Sequence, residues 1–210
     1  MAQVLKDEVK EKLQISAVDV FTLKGYKKAS IKEIAENANV SVGNVYRYFK
    51  NKDELYESVI KGVYDGINEL MTVVEQQSDF MDIYADNFFE EYAYEPMKKF
   101  IDLYRREKNV FNMLLKGEKG RYYDKTIVFF IDILKNYFYK FWGASSKPQG
   151  LSYIEASALT NALVFSVVDI LNSVEDNELE NELMEFVPTI IIGYFIAKNS
   201  KGEKQWKWNG

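Results

Sequence analysis

The sequence contains neither cysteine nor histidine. The first absence excludes disulfides, thiolate metal sites and thiol redox sensing. The second removes the commonest general base, the usual zinc ligand and the Glu-x-x-His pattern of carboxylate di-iron bundles. An enzyme built from the remaining carboxylates, lysines and tyrosines would need a paired-carboxylate motif, and none stands out. Proline is limited to Pro96, Pro148 and Pro188, glycine is sparse, and no alternating β-branched run is framed by hairpin turns. The chain therefore reads as all-α. Its first residues are charged rather than apolar, so no signal peptide is expected. No apolar run is seen to reach the roughly 20 residues of a membrane span. The expectation is a soluble cytoplasmic protein that is not an enzyme and uses no cofactor or metal.

The most informative segment that is present runs from Ser30 to Lys52. Ser30 and Glu33 have the spacing of a reciprocal capping box, and Ile31, Ile34, Ala35 and Ala38 recur on one helical face. Asn39 follows where the chain must turn, and asparagine tolerates a left-handed backbone better than any residue except glycine. Val40 plugs the gap between helices, and Ser41 offers a second N-cap. The next helix would carry Val45 and Phe49 inward and leave Val42, Gly43, Asn44, Tyr46, Arg47 and Tyr48 outward. Short residues at its start allow close approach to base edges, as a recognition helix in a major groove requires. Upstream, Leu13, Ala17, Phe21, Gly25 and Tyr26 form an apolar helix face ending at a glycine stop. Downstream, Asn51 and Glu54 mark another capped start. This is a helix-turn-helix, and double-stranded DNA is its leading partner.

At these residues the chain resembles the TetR family of bacterial transcriptional regulators. The resemblance is carried by Leu13, Ala17, Phe21, Gly25-Tyr26, Ser30, Ile34-Ala35, Val40-Ser41, Gly43, Val45-Tyr46, Tyr48-Phe49, Lys52 and Leu55, over roughly the first quarter of the chain. Two positions depart from the family pattern: Asn39 stands where glycine is usual, and Ser16 where a small apolar residue is commoner. The fold expected is an N-terminal three-helix helix-turn-helix DNA-binding domain at residues 1–52, with a tether helix from about residue 53. A larger helical ligand-binding and dimerisation domain (53–200) and a polar C-terminal tail (201–210) follow.

Charge divides the chain in the same place. Up to Lys52 there are ten Lys/Arg against six Asp/Glu, a surplus of four; the remainder holds 17 against 26, a deficit of nine. Phosphate attraction depends on local charge, so the basic end would face DNA and the acidic remainder would turn away. After Lys52, helical segments are expected through Leu55–Leu70, Phe80–Tyr92, Pro96–Arg106, Val110–Leu115, Tyr122–Trp142, Tyr153–Val174 and Leu183–Lys198. Breaks are expected at 117–120 and 143–150, and Ser152 with Glu155 forms a further capping box.

The last two segments are the expected dimer surface, with a stripe of Ala156, Leu159, Leu163, Val167, Ile170 and Val174 beside small Ala158, Ala162 and Ser166. The final segment is apolar on more than one face and must be covered on several sides. The resemblance implies the same: a homodimer through the two C-terminal helices, reading a palindromic operator. It also implies a cavity for a small inducer in the aromatic-rich middle, where Phe89, Tyr92, Tyr104, Phe111, Tyr123, Phe130, Phe165 and Asp169 are the candidate ligand residues.

For the reader, Arg47 and Asn44 would contact base edges, and Val42 and Gly43 would set the close approach. Ser30, Ser41, Tyr46, Tyr48 and Lys52 would hold phosphates, flanked by Lys27, Lys28 and Lys50. The function expected is a repressor released from its operator by a small lipophilic or aromatic ligand. The alternative keeps the fold but makes it a DNA-bound scaffold answering to a protein partner, met by the acidic core or by the tail with Trp206 and Trp208.

Overall fold

The computed structural model describes residues 2–77, 94–115, 121–143 and 150–200, and among these the secondary structure is helical apart from an isolated bridge between Gly143 and Leu151. The helices are α1 (Ala2–Lys28), α2 (Ile31–Asn37), α3 (Val42–Val45), α4 (Lys52–Gln77), α5 (Tyr94–Arg106), α6 (Lys108–Leu115), α7 (Arg121–Trp142), α8 (Tyr153–Ser173) and α9 (Leu179–Ser200). The expected segment 80–92, both expected breaks for the most part, the candidate residues Phe89 and Tyr92, and the tail at 201–210 lie outside the described residues.

Of the helix boundaries that differ from the sequence expectation, two have clear local reasons. α9 starts at Leu179, ahead of its apolar run, because Glu180 and Glu182 suit the positive end of a helix dipole. α5 starts at Tyr94 and takes Pro96 into its first turn, where a missing N–H removes no helical bond.

Two compact units result. The first joins Met1–Glu69 with Asp102–Thr126, and the second joins Leu70–Ile101 with Ile127–Gly210. In the first unit α1 packs against α2 and α6, and α2 against α3. Leu13, Ala17, Phe21, Ile34, Val45 and Leu55 are among its buried side chains, each no more than 3 % exposed. Glycines let α5 approach α4 closely here. A Cβ at Gly66 would lie 2.5 Å from Leu103 Cδ1, and one at Gly62 would lie 2.8 Å from the Glu107 carboxylate. α6, although distant in sequence, thus belongs to the same compact unit as the helix-turn-helix.

In the second unit α8 packs against α9. Trp142 is buried against Phe138 (5.2 Å between ring centres) and Phe195 (5.3 Å). Ser152 caps α8 in the expected box with Glu155, and Lys198 from the end of α9 sets its ammonium 2.6 Å from both Glu155 oxygens. That carboxyl titrates at about 2, lowered first by Lys198 and then by the Ser152 backbone N–H. Burial first, and then the Glu155 carboxylate, push the neighbouring Tyr194 hydroxyl up to about 12.

The expected dimer stripe needs correction. Ala156, Leu159 and Leu163 are buried within the single chain, where α8 meets its own unit. The face of α8 left exposed carries the expected small residues Ala158 and Ala162 together with Ile154, Phe165 and Asp169, while Val167 and Ile170 are half-buried. The expectation that no helix is long and apolar enough for a membrane is corrected too: α8 is, by length and composition. Of that apolar stretch 39% is buried inside the chain, and a core helix can meet the same criterion.

Candidate nucleic-acid interface

The interface is built on three local devices. Gly25 (φ 70, ψ 162) breaks the helical geometry of α1 one turn before its end, a backbone position where any Cβ is strained. Ser30 then caps α2 in a complete box: its hydroxyl accepts the Glu33 N–H at 3.2 Å, and Glu33 Oε2 accepts the Ser30 N–H at 3.0 Å. At the far end α2 closes in a Schellman arrangement. Asn39 takes the left-handed conformation (φ 56), its N–H donates to Glu36 O at 3.1 Å, and the Val40 N–H donates to Ala35 O at 2.9 Å.

Ser41 caps α3, accepting the Asn44 N–H at 3.2 Å. α3 is shorter than expected. After Val45 the chain tightens into turns in which Arg47 donates to Asn44 O, and Tyr48 and Phe49 both donate to Val45 O. The reason is tertiary: Phe49 must stay buried (3 % exposed) while the chain bends into α4, which Asn51 caps through the Glu54 N–H at 2.8 Å. Glu54 does not complete the box there; its carboxylate accepts the Lys50 N–H instead.

The turn presents the expected surface. Val45 is fully buried, while Val42 (38 %), Gly43, Tyr46 (55 %) and Arg47 are exposed and Asn44 and Tyr48 half-buried. Nothing lies within 4 Å of a Cβ built on Gly43. Exposed Lys27, Lys28 and Lys50 flank it.

Ser30 and Lys52 sit differently. The Ser30 hydroxyl donates to Glu33 Oε2 at 2.9 Å, and Lys24 pairs with the same carboxylate. Lys24 first, and then Ser30, hold that carboxyl below its ordinary range. Lys52 Nζ lies 2.7 Å from Tyr26 O, 2.8 Å from Ala29 O and 4.4 Å from the centre of the Tyr26 ring. The Tyr26 hydroxyl donates to Asp53, and its ring packs between Phe21 and Tyr56.

Sequence reasoning also missed Ser16. It is 3 % exposed, and its hydroxyl donates to Ile34 O at 2.7 Å, tying α1 to α2. Its place beside Ala17, on the buried face that also carries Leu13, was the available signal, since a polar residue there needs a partner.

The described candidate ligand residues divide between the two units. Within the first unit, Tyr104 and Phe111 are buried against each other at 5.3 Å, and Tyr123 is half-buried. Within the second, Phe130 is half-buried beside Phe129, while Phe165 (47 %) and Asp169 are exposed. Among the described residues no group of carboxylates could hold a metal ion.

Comparison with known proteins agrees with this geometry. Residues 16–59 match the family described as "Bacterial regulatory proteins, tetR family". The chain is 22% identical over 132 residues to the biofilm operon icaADBC negative transcriptional regulator IcaR of Staphylococcus aureus, covering 56% of this chain and 71% of that one. A TetR-like transcriptional regulator from Rhodococcus sp. RHA1 has a similar fold, with TM-score 0.60, 17% identity and coverage of 90% and 96% of the two chains. So has the regulator FadR of Bacillus subtilis, solved with stearoyl-CoA, with TM-score 0.51, 17% identity and coverage of 86% and 97%.

Proposed function

We propose that this chain, a TetR-family transcriptional regulator, is a sequence-specific repressor that binds a palindromic operator as a homodimer and is released by a small lipophilic ligand. The observation that carries the proposal is the exposed surface from Val42 to Arg47, held above buried Val45 by the Ser41 cap. Arg47 suits guanine and Asn44 adenine, with Val42 and Gly43 allowing the backbone near the base edges. Ser41 accepts from the backbone and keeps its own proton for a phosphate, joined by Tyr46 and Tyr48.

One reader spans few base pairs, so a twofold pair is needed for a useful site. The faces that support pairing are Ala158, Ala162 and Phe165 on α8, and Ile192, Gly193 and Ile196 on α9. The α9 residues border a shallow apolar groove of about 460 Å³. Phe165 and Asp169 then belong to the pairing face, and the ligand role falls to half-buried Phe130.

Repression is the sense described for IcaR, and a long acyl chain is what FadR of Bacillus subtilis holds. Tenfold release needs the ligand to favour the non-DNA state by about 1.4 kcal/mol. The second reading is a DNA-bound scaffold answering to a protein partner, and it is supported by Tyr104 and Phe111 being buried against each other as core rather than lining an opening.

The test is selection of bound fragments from random duplex DNA. An enriched inverted repeat, bound more weakly by Arg47→Ala, is expected; recovery of unbiased sequence would remove the regulator reading.

A further inference from the structure

Lys52 and Ser30 stand where a basic or hydroxyl side chain at the reader's edge would be assigned to DNA phosphates, yet both are engaged within the fold. We propose that they are positioning residues, which set the corner between α1 and α2 and so the angle of the reader, and that neither is a phosphate ligand. This rests on the regulator reading above.

The corner is a place where the backbone needs outside partners. α1 ends at Lys28; the Gly25 carbonyl still accepts the Ala29 N–H at 3.1 Å, but the carbonyls after it have no further turn of helix to supply donors. Lys52 supplies donors to two of them, Tyr26 O and Ala29 O. Ala29 immediately precedes the N-cap Ser30, so the ammonium fixes the peptide that turns the chain from one helix into the next. It cannot swing outward cheaply. Two charge-assisted hydrogen bonds and the face of Tyr26 hold it, and Asp53 holds the Tyr26 hydroxyl.

Ser30 is similarly committed. Its hydroxyl accepts one bond and donates another, both to Glu33, leaving no proton to aim at a phosphate. Exposed cations on this side include Lys27, Lys28 and Lys50, beside Arg47 on the reader itself. They carry the salt-dependent contacts in this assignment, while Lys52 and Ser30 hold the scaffold those contacts depend on.

A phosphate ligand and a positioning residue leave different signatures. Removing a phosphate contact weakens all duplexes alike and lowers the slope of log K against log salt by about 0.9. Removing a positioning residue lowers specific binding selectively and leaves that slope alone. The experiment uses the full chain, the selected operator and a random duplex, with fluorescence anisotropy across several salt concentrations.

Lys52→Met is expected to lose about tenfold or more on the operator, a loss of about 1.4 kcal/mol, with little change on random duplex and an unchanged salt slope. Lys52→Arg, which keeps two donors and a planar cation for Tyr26, should restore most of the operator affinity. Lys50→Gln should lower the slope. A second measurement needs no variant: in the ¹⁵N-labelled wild-type protein, the Lys52 ammonium protons should be protected from exchange before DNA is added and keep their shift afterwards. Equal losses on both duplexes with a flattened slope for Lys52→Met, or an unprotected ammonium that shifts on adding DNA, overturns the assignment. Failure of the wild-type chain to bind any duplex selectively would strike the regulator reading alone, since ammonium protection in the free protein still reports on the corner.

Discussion

Gly43 offers a perturbation that separates folding from DNA recognition. It is the second residue of α3, exposed, with nothing within 4 Å of a Cβ built on its backbone. Its φ is not in the left-handed region, where Asn39 is the one described non-glycine residue. Replacement by alanine therefore meets no clash and removes glycine's backbone entropy penalty, worth about 0.5–1 kcal/mol in favour of the folded chain. Leucine sets its Cβ in the same open position and has a helix propensity similar to alanine's. On DNA the sign reverses. A side chain at this point stands between the backbone and the base edges, and each displaced base contact removes about 1–3 kcal/mol of discrimination, or about five- to 150-fold in affinity. Melting temperature and operator affinity should thus move in opposite directions along the series Gly43, Ala, Leu. Differential scanning calorimetry and anisotropy on the selected operator measure the two. A lower melting temperature for leucine would show that the site is not open. Unchanged operator affinity for leucine would show that α3 does not enter a groove, whatever the rest of the chain does.

Two further outcomes follow from the second unit. Glu155 is held at about 2 in the folded chain against an ordinary 4.5, by Lys198 first. A depressed carboxyl gives stability that is present above pH 4.5 and lost as the pH falls towards 2. The carboxylate is about a third exposed, which reduces the effect to about 1 kcal/mol; Glu155→Gln should flatten the acid limb of the unfolding curve by that amount, and an unaltered limb would discard the ion pair as its source. Ile196 is 57 % exposed on the α9 face beside Gly193. Ile196→Asp should leave the helical circular dichroism intact and shift sedimentation towards monomer at micromolar concentration, whereas an unshifted dimer would move the pairing surface elsewhere.

Local sequence chemistry was sufficient for most devices that close within a few residues, the reciprocal half of the Asn51–Glu54 box excepted. The Ser30–Glu33 and Ser152–Glu155 boxes, the Ser41 cap and the left-handed turn at Asn39 each involve partners no more than about one helical turn apart, so their residue types and spacing alone specify them. The inward placement of Val45 was legible for the same reason, since helical periodicity assigns a face; Phe49 is buried as expected, but past the end of α3, where packing rather than period places it. Where partners lie far apart in sequence, spacing carries no such information. The Lys52 clasp reaches back 26 and 23 residues, the Ser16 hydrogen bond spans 18, and Tyr26–Asp53 spans 27. The same lysine reads from sequence as a surface cation and becomes an internal donor only because α1 and α4 meet at this corner. α8 shows the other side of that limit. Its sequence fixes a helix too apolar to stand alone, but which stripe is buried and which stays open depends on where α9 lies. Composition sets how much apolar surface must be covered; packing between elements chooses the cover.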